Sequence, residues 1–187
     1  MPGHLPDMQT KRLAIPRPAR LSLPLALATL LLGACSTPMT LPADTTLDSA
    51  TSTLGAPTSS CPLPNGGLRA VWSQQPQGQY AWAMDFDAEG RLTKREPVLT
   101  NESFERLRTG TWTQQDVTCA FGPPARTGWV GLPSLREQVW GYRYRENGVW
   151  NSVMYVFFGM TGEKVTRFYP GPDPRFDDNA PWNYFDF

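Results

Sequence analysis

Thr113–Pro124, T-Q-Q-D-V-T-C-A-F-G-P-P, is the stretch from which the rest of the chain is read. Thr113 is an N-cap residue. Asp116, three positions on, completes a capping-box-like pair and suits the positive end of the helix dipole. Val117, Ala120 and Phe121 fall at i, i+3 and i+4, which makes one apolar stripe. Gly122 can take the left-handed C′ position, and Pro123 and Pro124 forbid any continuation. A helix this short is not stable alone, so its stripe must lie on another element.

The downstream sequence supplies that element as strands. Gln138–Arg145, Q-V-W-G-Y-R-Y-R, puts Trp140, Tyr142 and Tyr144 on one face and Arg143 and Arg145 on the other. Asn147-Gly148 is a strong hairpin signal. The strand after it, Val149–Phe158, is apolar on both faces from Val153 onward, as a central strand would be. Thr161-Gly162 then turns the chain into a return strand over Glu163–Tyr169.

Upstream, Leu68–Ser73 and Gln79–Asp87 also read as strands. Tyr80, Trp82, Met84 and Phe86 alternate onto one face of the second. Ala88-Glu89-Gly90 makes a turn, and Arg91–Val98 returns. A first helix starts after Thr100 or Asn101, carries Phe104 and Leu107 inward, and ends at Gly110. The segment 84–94 echoes 155–167 as a hydrophobic strand, a glycine turn and a basic-polar return. The expected fold is α+β: two short helices packed on an antiparallel β-sheet, with the echo read as a second, partial copy of the unit or as two similar hairpins in one sheet, the first being favoured.

The first 34 residues read as a signal peptide rather than as fold. Lys11, Arg12, Arg17 and Arg20 precede an apolar run from Leu21 to Leu32, shorter than the ~20 residues a membrane-spanning helix needs. The run ends in Leu32-Gly33-Ala34-Cys35, which resembles a bacterial lipobox and implies lipid on Cys35. Ser36 after that cysteine permits export to the outer membrane, where an Asp would retain the protein at the inner one. The expected partner in anchoring is therefore the membrane, at the periplasmic face of the outer membrane.

From these features the chain divides into a signal peptide (1–34), a lipidated disordered tether (35–60), a β-hairpin extension or partial repeat (61–98), an α+β domain (99–170) and an aromatic tail (171–187). The tether assignment rests on a Ser/Thr/Pro/Ala composition without aromatics. The tail carries Trp182, Tyr184, Phe185 and Phe187, and its plainest reading is a coil packed against the sheet.

Composition removes several functions. The only histidine, His4, lies in the signal, so the mature chain has neither a Ser-His nor a Cys-His pair and lacks the commonest zinc ligand. No catalytic residue, metal site or cofactor is expected. The mature charge of about −3 gives no footprint for nucleic acid. Cys61 and Cys119 remain beside Cys35, and an oxidising periplasm favours a bond between them.

A capped helix, F-G-P-P, W-G-Y-R-Y, an apolar strand, a glycine turn and a return strand succeed one another in this order. The arrangement resembles the SmpA/OmlA (BamE-like) family of outer-membrane lipoproteins. Thr113, Asp116, Val117, Gly122, Pro124, Trp140 and Tyr142 or Tyr144 carry the match, which covers about Phe104–Tyr169; Thr111-Trp112 departs from it by one inserted residue. The resemblance implies a fold related to β-lactamase inhibitory proteins and a periplasmic or outer-membrane protein partner, in outer-membrane protein assembly or envelope integrity. Trp129, Arg143, Arg145 and Trp150 are the candidate partner-binding face. Two alternatives remain: an envelope module that binds ligand or peptidoglycan, and a cell-wall hydrolase using the acidic cluster Asp85, Asp87 and Glu89.

Overall fold

In a computed structural model, residues 37–176 are described, together with Gly3. The expected signal, Cys35 and the tail residues Trp182, Tyr184, Phe185 and Phe187 lie outside that range. Eight strands form two antiparallel four-stranded sheets, each a simple meander. The first holds β1 (Ser59–Pro62), β2 (Leu68–Ser73), β3 (Ala81–Phe86) and β4 (Leu92–Pro97). The second holds β5 (Arg126–Val130), β6 (Glu137–Glu146), β7 (Trp150–Phe157) and β8 (Arg167–Pro172). Three short helices accompany them: α1 (Leu47–Leu54), α2 (Asn101–Glu105) and α3 (Gln114–Phe121). The α+β class holds, but the strands divide between two sheets where one was expected.

The α3 helix forms as its sequence dictates. The Thr113 hydroxyl accepts from the Asp116 amide and the Asp116 carboxylate accepts from the Thr113 amide, so both halves of the capping box are made. Gly122 ends the helix at φ 82°, a backbone region that side-chain-bearing residues rarely enter. Val117, Ala120 and Phe121 are buried in the largest apolar cluster. That cluster draws Val71, Ala81 and Ala83 from the first sheet and Trp140, Tyr142, Tyr144, Met154 and Val156 from the second. One core therefore joins both sheets through the helices. Cys119 of α3 is bonded to Cys61 of β1, which fixes the helix to the first sheet.

The other face of the first sheet corrects the tether reading. Residues 47–54 are helical, with the Thr46 hydroxyl accepting from the Ser49 amide at the N-cap. Leu47, Ala50 and Leu54 pack with Leu41 on Trp72, Met84 and Phe86. Serine and threonine weaken helix propensity, but these apolar residues fall at i, i+3 and i+7 and meet a sheet face too apolar to leave in water. Trp72 Nε1 also donates to the Gly55 carbonyl at 2.9 Å, closing the end of the helix onto the sheet. The folded region thus starts by Pro38, buried at the head of a 3-10 turn, rather than at Cys61.

The last strand is also displaced from its expected position. The Val165 amide donates to the Trp112 carbonyl, so 163–165 pairs with the lead-in to α3, and β8 begins only at Arg167 opposite Phe157. The echoing segments 84–94 and 155–167 span the third strand and the next turn of their respective sheets.

Two outcomes test this architecture. Replacing Cys61 and Cys119 by serine removes a crosslink across 58 residues of sequence separation. A loss of about 2–4 kcal/mol is expected in denaturant unfolding. Amides of residues 50–55 should be protected in hydrogen exchange, and a free tether would exchange at the unprotected rate.

Candidate functional site

The register of the second sheet separates its two faces. Directly paired residues share a face, so Trp140, Tyr142, Tyr144, Met154 and Val156 point to the helices, whereas Val139, Arg143, Val153, Tyr155 and Phe157 point away. The four residues expected to form a binding face are therefore split. Trp129 pairs with Gln138 and Trp150 with Glu146, so both lie on the helix side but at opposite ends of β6. Eight strand residues part them, or roughly 27 Å. Arg143 and Arg145 lie on the other face.

Arg143 is structural rather than a contact residue. Its side chain is 7% exposed, and Nε donates to Asp173 Oδ2 at 2.7 Å. Its Nη1 donates to the carbonyls of Pro76 and Gln77 at 3.0 and 2.6 Å. The Gln75 side chain meanwhile donates to the Arg143 carbonyl and accepts from the Arg143 amide. The loop between β2 and β3 thereby supplies the bonds a neighbouring strand would make, beyond the end of β5. Sequence alternation gave the face of Arg143 but no signal for this cover, which comes from residues 30 to 68 positions away. Arg145 is half-buried and bonded to Asn151.

Trp129 is 42% exposed, beneath the Arg136 guanidinium at 5.4 Å from the ring centre. Trp150 is the most exposed of the four at 67%, and it sits on the hairpin tip with Val149. Asn147 and Gly148 take φ of 50° and 71°, as the Asn-Gly signal requires. The Asn147 amide donates to Asn101 Oδ1 at 2.8 Å, which holds the tip against the start of α2. Beside it opens a cleft of about 430 Å³ lined in part by Tyr80, Leu99, Glu102, Arg145 and Asn147. Tyr80 is exposed and stacks on Trp82 at 5.9 Å between ring centres. Tyr80 lines the cleft, and the exposed Val149 follows Gly148, which also lines it. Both were readable only as strand residues, because exposure at a strand end leaves no mark in a period of two.

The acidic cluster is spent on structure. Asp85 pairs with Arg69 at 2.8 Å beneath α3, and Asp87 Oδ1 accepts from the amides of Glu89 and Arg91 in the turn. Arg69, itself 7% exposed, also pairs with Glu96 at 2.7 Å and donates to the Cys119 carbonyl at 3.2 Å. Partial burial pushes the Glu96 carboxyl up, but bonds and charge from Arg69 and Lys94 outweigh this and hold it below its ordinary value. Bonds from the Thr113 side chain and amide likewise lower Asp116. Burial drives the Tyr142 hydroxyl far above the ordinary tyrosine value, and it stays a neutral donor to the Gly122 carbonyl at 3.0 Å. Among the described residues, no group of three or more His, Cys, Asp or Glu is placed to hold a metal ion.

The cleft has Tyr80 and Leu99 among a largely polar lining, in which Arg145 and Asn147 are bonded to Asn151 and Asn101, and the exposed Val149 and Trp150 follow directly on its Gly148. The arrangement defines the chain as a two-sheet α+β domain with an aromatic hairpin tip. Comparison with protein-family models, curated proteins and solved structures gives no match.

Replacing Arg143 by Met leaves Asp173 buried without its cation and should cost about 3–5 kcal/mol in unfolding, against less than ~0.5 for Trp150→Ala. Glu96 binds a proton less readily folded than unfolded. Its stabilisation is therefore complete at neutral pH and fades as pH falls through about 4 and toward the folded value. Glu96→Gln should lower stability at pH 7 and flatten the acid limb of the stability–pH curve, as measured by urea unfolding.

Proposed function

We propose that this chain is an outer-membrane lipoprotein, held by lipid on Cys35 at the periplasmic face, whose α+β domain binds a protein partner without performing catalysis. The observation that carries the reading is the exposed hairpin tip, Val149 and Trp150, beside Tyr80 and the open cleft. Large aromatics are the side chains that dominate protein interfaces, and here they stand on a short two-strand support braced by Asn101. The lipobox Leu32–Cys35 supports the address. Pro38 is already buried at the start of a 3-10 turn over Pro38–Thr40, so only two residues, ~7 Å at full extension, separate Cys35 from the packed chain. The domain would sit close to the membrane rather than search from a long tether.

The SmpA/OmlA resemblance supports a role in outer-membrane protein assembly or envelope integrity. The two four-strand meanders, with the echo across corresponding strands, support two copies of one unit as in β-lactamase inhibitory proteins. The acidic cluster gives the hydrolase alternative little support, since Asp85 and Asp87 are engaged by Arg69 and by turn amides.

The test uses the full chain with p-benzoylphenylalanine at Trp150. Photo-crosslinking in cells should give one dominant periplasmic or outer-membrane protein adduct, reduced at least tenfold by Cys35→Ala. A probe at Arg91 serves as the control. Adducts to lipid or peptidoglycan alone, or the same proteins from Arg91, would sink the reading.

A further inference from the structure

The segment before α1 fixes where the domain meets its anchor. It runs beside β4: the Leu92 amide donates to the Thr45 carbonyl at 3.0 Å, Thr46 bridges to Arg91, and the Arg95 guanidinium donates to the Leu41 carbonyl. Followed backward from Thr46 to Leu41, the chain therefore advances along β4 from Arg91 to Arg95, toward Pro97. Pro38–Thr40 then packs on β3 and β4, with Pro38 buried. Only Ser36 and Thr37 separate Pro38 from Cys35, a reach of ~7 Å. A lipid on Cys35 is thereby confined to the neighbourhood of this corner of the first sheet.

The corner is aromatic. Strand pairing puts Trp72, Trp82 and Pro97 on one face of the sheet, with Ala70, Met84 and Arg95 beside them. Leu41 and α1 lie on this same face and cover Trp72, Met84 and Phe86. The cover stops short of Trp82, which is half-buried, and of Tyr80, 48% exposed, which stacks on it at 5.9 Å. Pro97 is exposed next to Trp82. Met39, 42% exposed, adds an apolar side chain from the 3-10 turn itself. Arg95 is the one charge among these strand positions, and no carboxylate stands there.

Tyrosine and tryptophan are the side chains that settle at a membrane–water boundary, ring body toward the acyl chains and polar tip among the headgroups. Without a carboxylate at these positions, the patch can enter that layer and bury no anion. A patch this small would not hold a free protein on a bilayer. An acyl anchor two residues from the fold makes the contact intramolecular, and weak contacts then suffice.

We infer that the Tyr80–Trp82 end of this face, together with Met39, lies in the headgroup layer of the membrane and gives the anchored domain one orientation on it. The inference rests on the lipoprotein reading, specifically on lipid at Cys35. It concerns contact with lipid alone; Val149 and Trp150, offered to a protein partner, belong to the hairpin of the other sheet.

The experiment uses the full lipidated chain in phosphatidylcholine vesicles that hold no other protein. It carries p-benzoylphenylalanine at Tyr80, far from Cys35 in sequence, or at Trp129, a control of similar exposure on the other sheet. Phospholipid adducts several-fold more abundant from Tyr80 than from Trp129 are expected. Equal or fewer adducts from Tyr80, in a chain that floats with the vesicles and whose intact mass includes the lipid, would overturn the inference and leave the lipoprotein reading standing. An unmodified Cys35 in that mass would overturn both. A second measurement uses bromine-labelled phosphatidylcholine, which quenches nearby tryptophan. Trp82→Phe should remove most of the quenched emission, and Trp129→Phe should leave it in place. Quenching unchanged by Trp82→Phe would contradict the orientation.

Discussion

The seating of α3 between two sheets governs the rest of the structure. Its stripe, Val117, Ala120 and Phe121, lies in a cluster that takes residues from both sheets, so neither sheet completes its core without the helix. One covalent bond and two hydrogen bonds hold the helix in place. The Cys61–Cys119 bond and the Arg69 guanidinium on the Cys119 carbonyl fix it to the first sheet, and the Tyr142 hydroxyl on the Gly122 carbonyl fixes it to the second. Arg69 is buried with two carboxylates as partners, an arrangement that stabilises only while all its bonds are made. The helix C-terminus supplies one of them, so helix position and ion network are coupled. This is why the surface features, the hairpin tip above all, have a rigid base.

That base explains the division of labour among the aromatics. Tyr142 and Tyr144 are consumed by the shared core with Phe104 and Phe121, whose rings stack at 4.9 Å. Trp150 stands beyond the end of that core, on a hairpin braced by Asn101. On the opposite side of the sheet, Tyr155 and Phe157 make a separate floor. One strand pair thus carries core, exposed tip and outer surface at once, and a period of two is what allows it.

Local signals were legible in the sequence and long-range ones were not. The α3 caps, the Thr100 cap of α2 and the Asn-Gly hairpin depend on residues within four positions of each other, and each has the expected chemistry. Strand faces could be read from alternation: Met84 and Phe86 do share a side, as do Tyr142 and Tyr144. Which strands pair into which sheet is not encoded in a period of two, so two sheets could be read as one. The helix at 47–54 was hidden because its Ser/Thr composition outweighed three apolar residues that gain their value only against Trp72, Met84 and Phe86. Arg143 read as a contact residue for the same reason. Its partners, Asp173 and the carbonyls of Pro76 and Gln77, are brought to it only by the tertiary fold.

A binding domain close to the membrane, meeting its partner at the hairpin tip, can be tested by the footprint that binding leaves. The most direct measurement compares hydrogen exchange of the full lipidated chain in isolated outer membranes with that of the same chain in detergent micelles. The account expects added protection concentrated at Asn147–Trp150 and around Tyr80, with the α3 core unchanged. Identical exchange at the tip in both settings, or protection confined to surfaces away from it, would contradict the account.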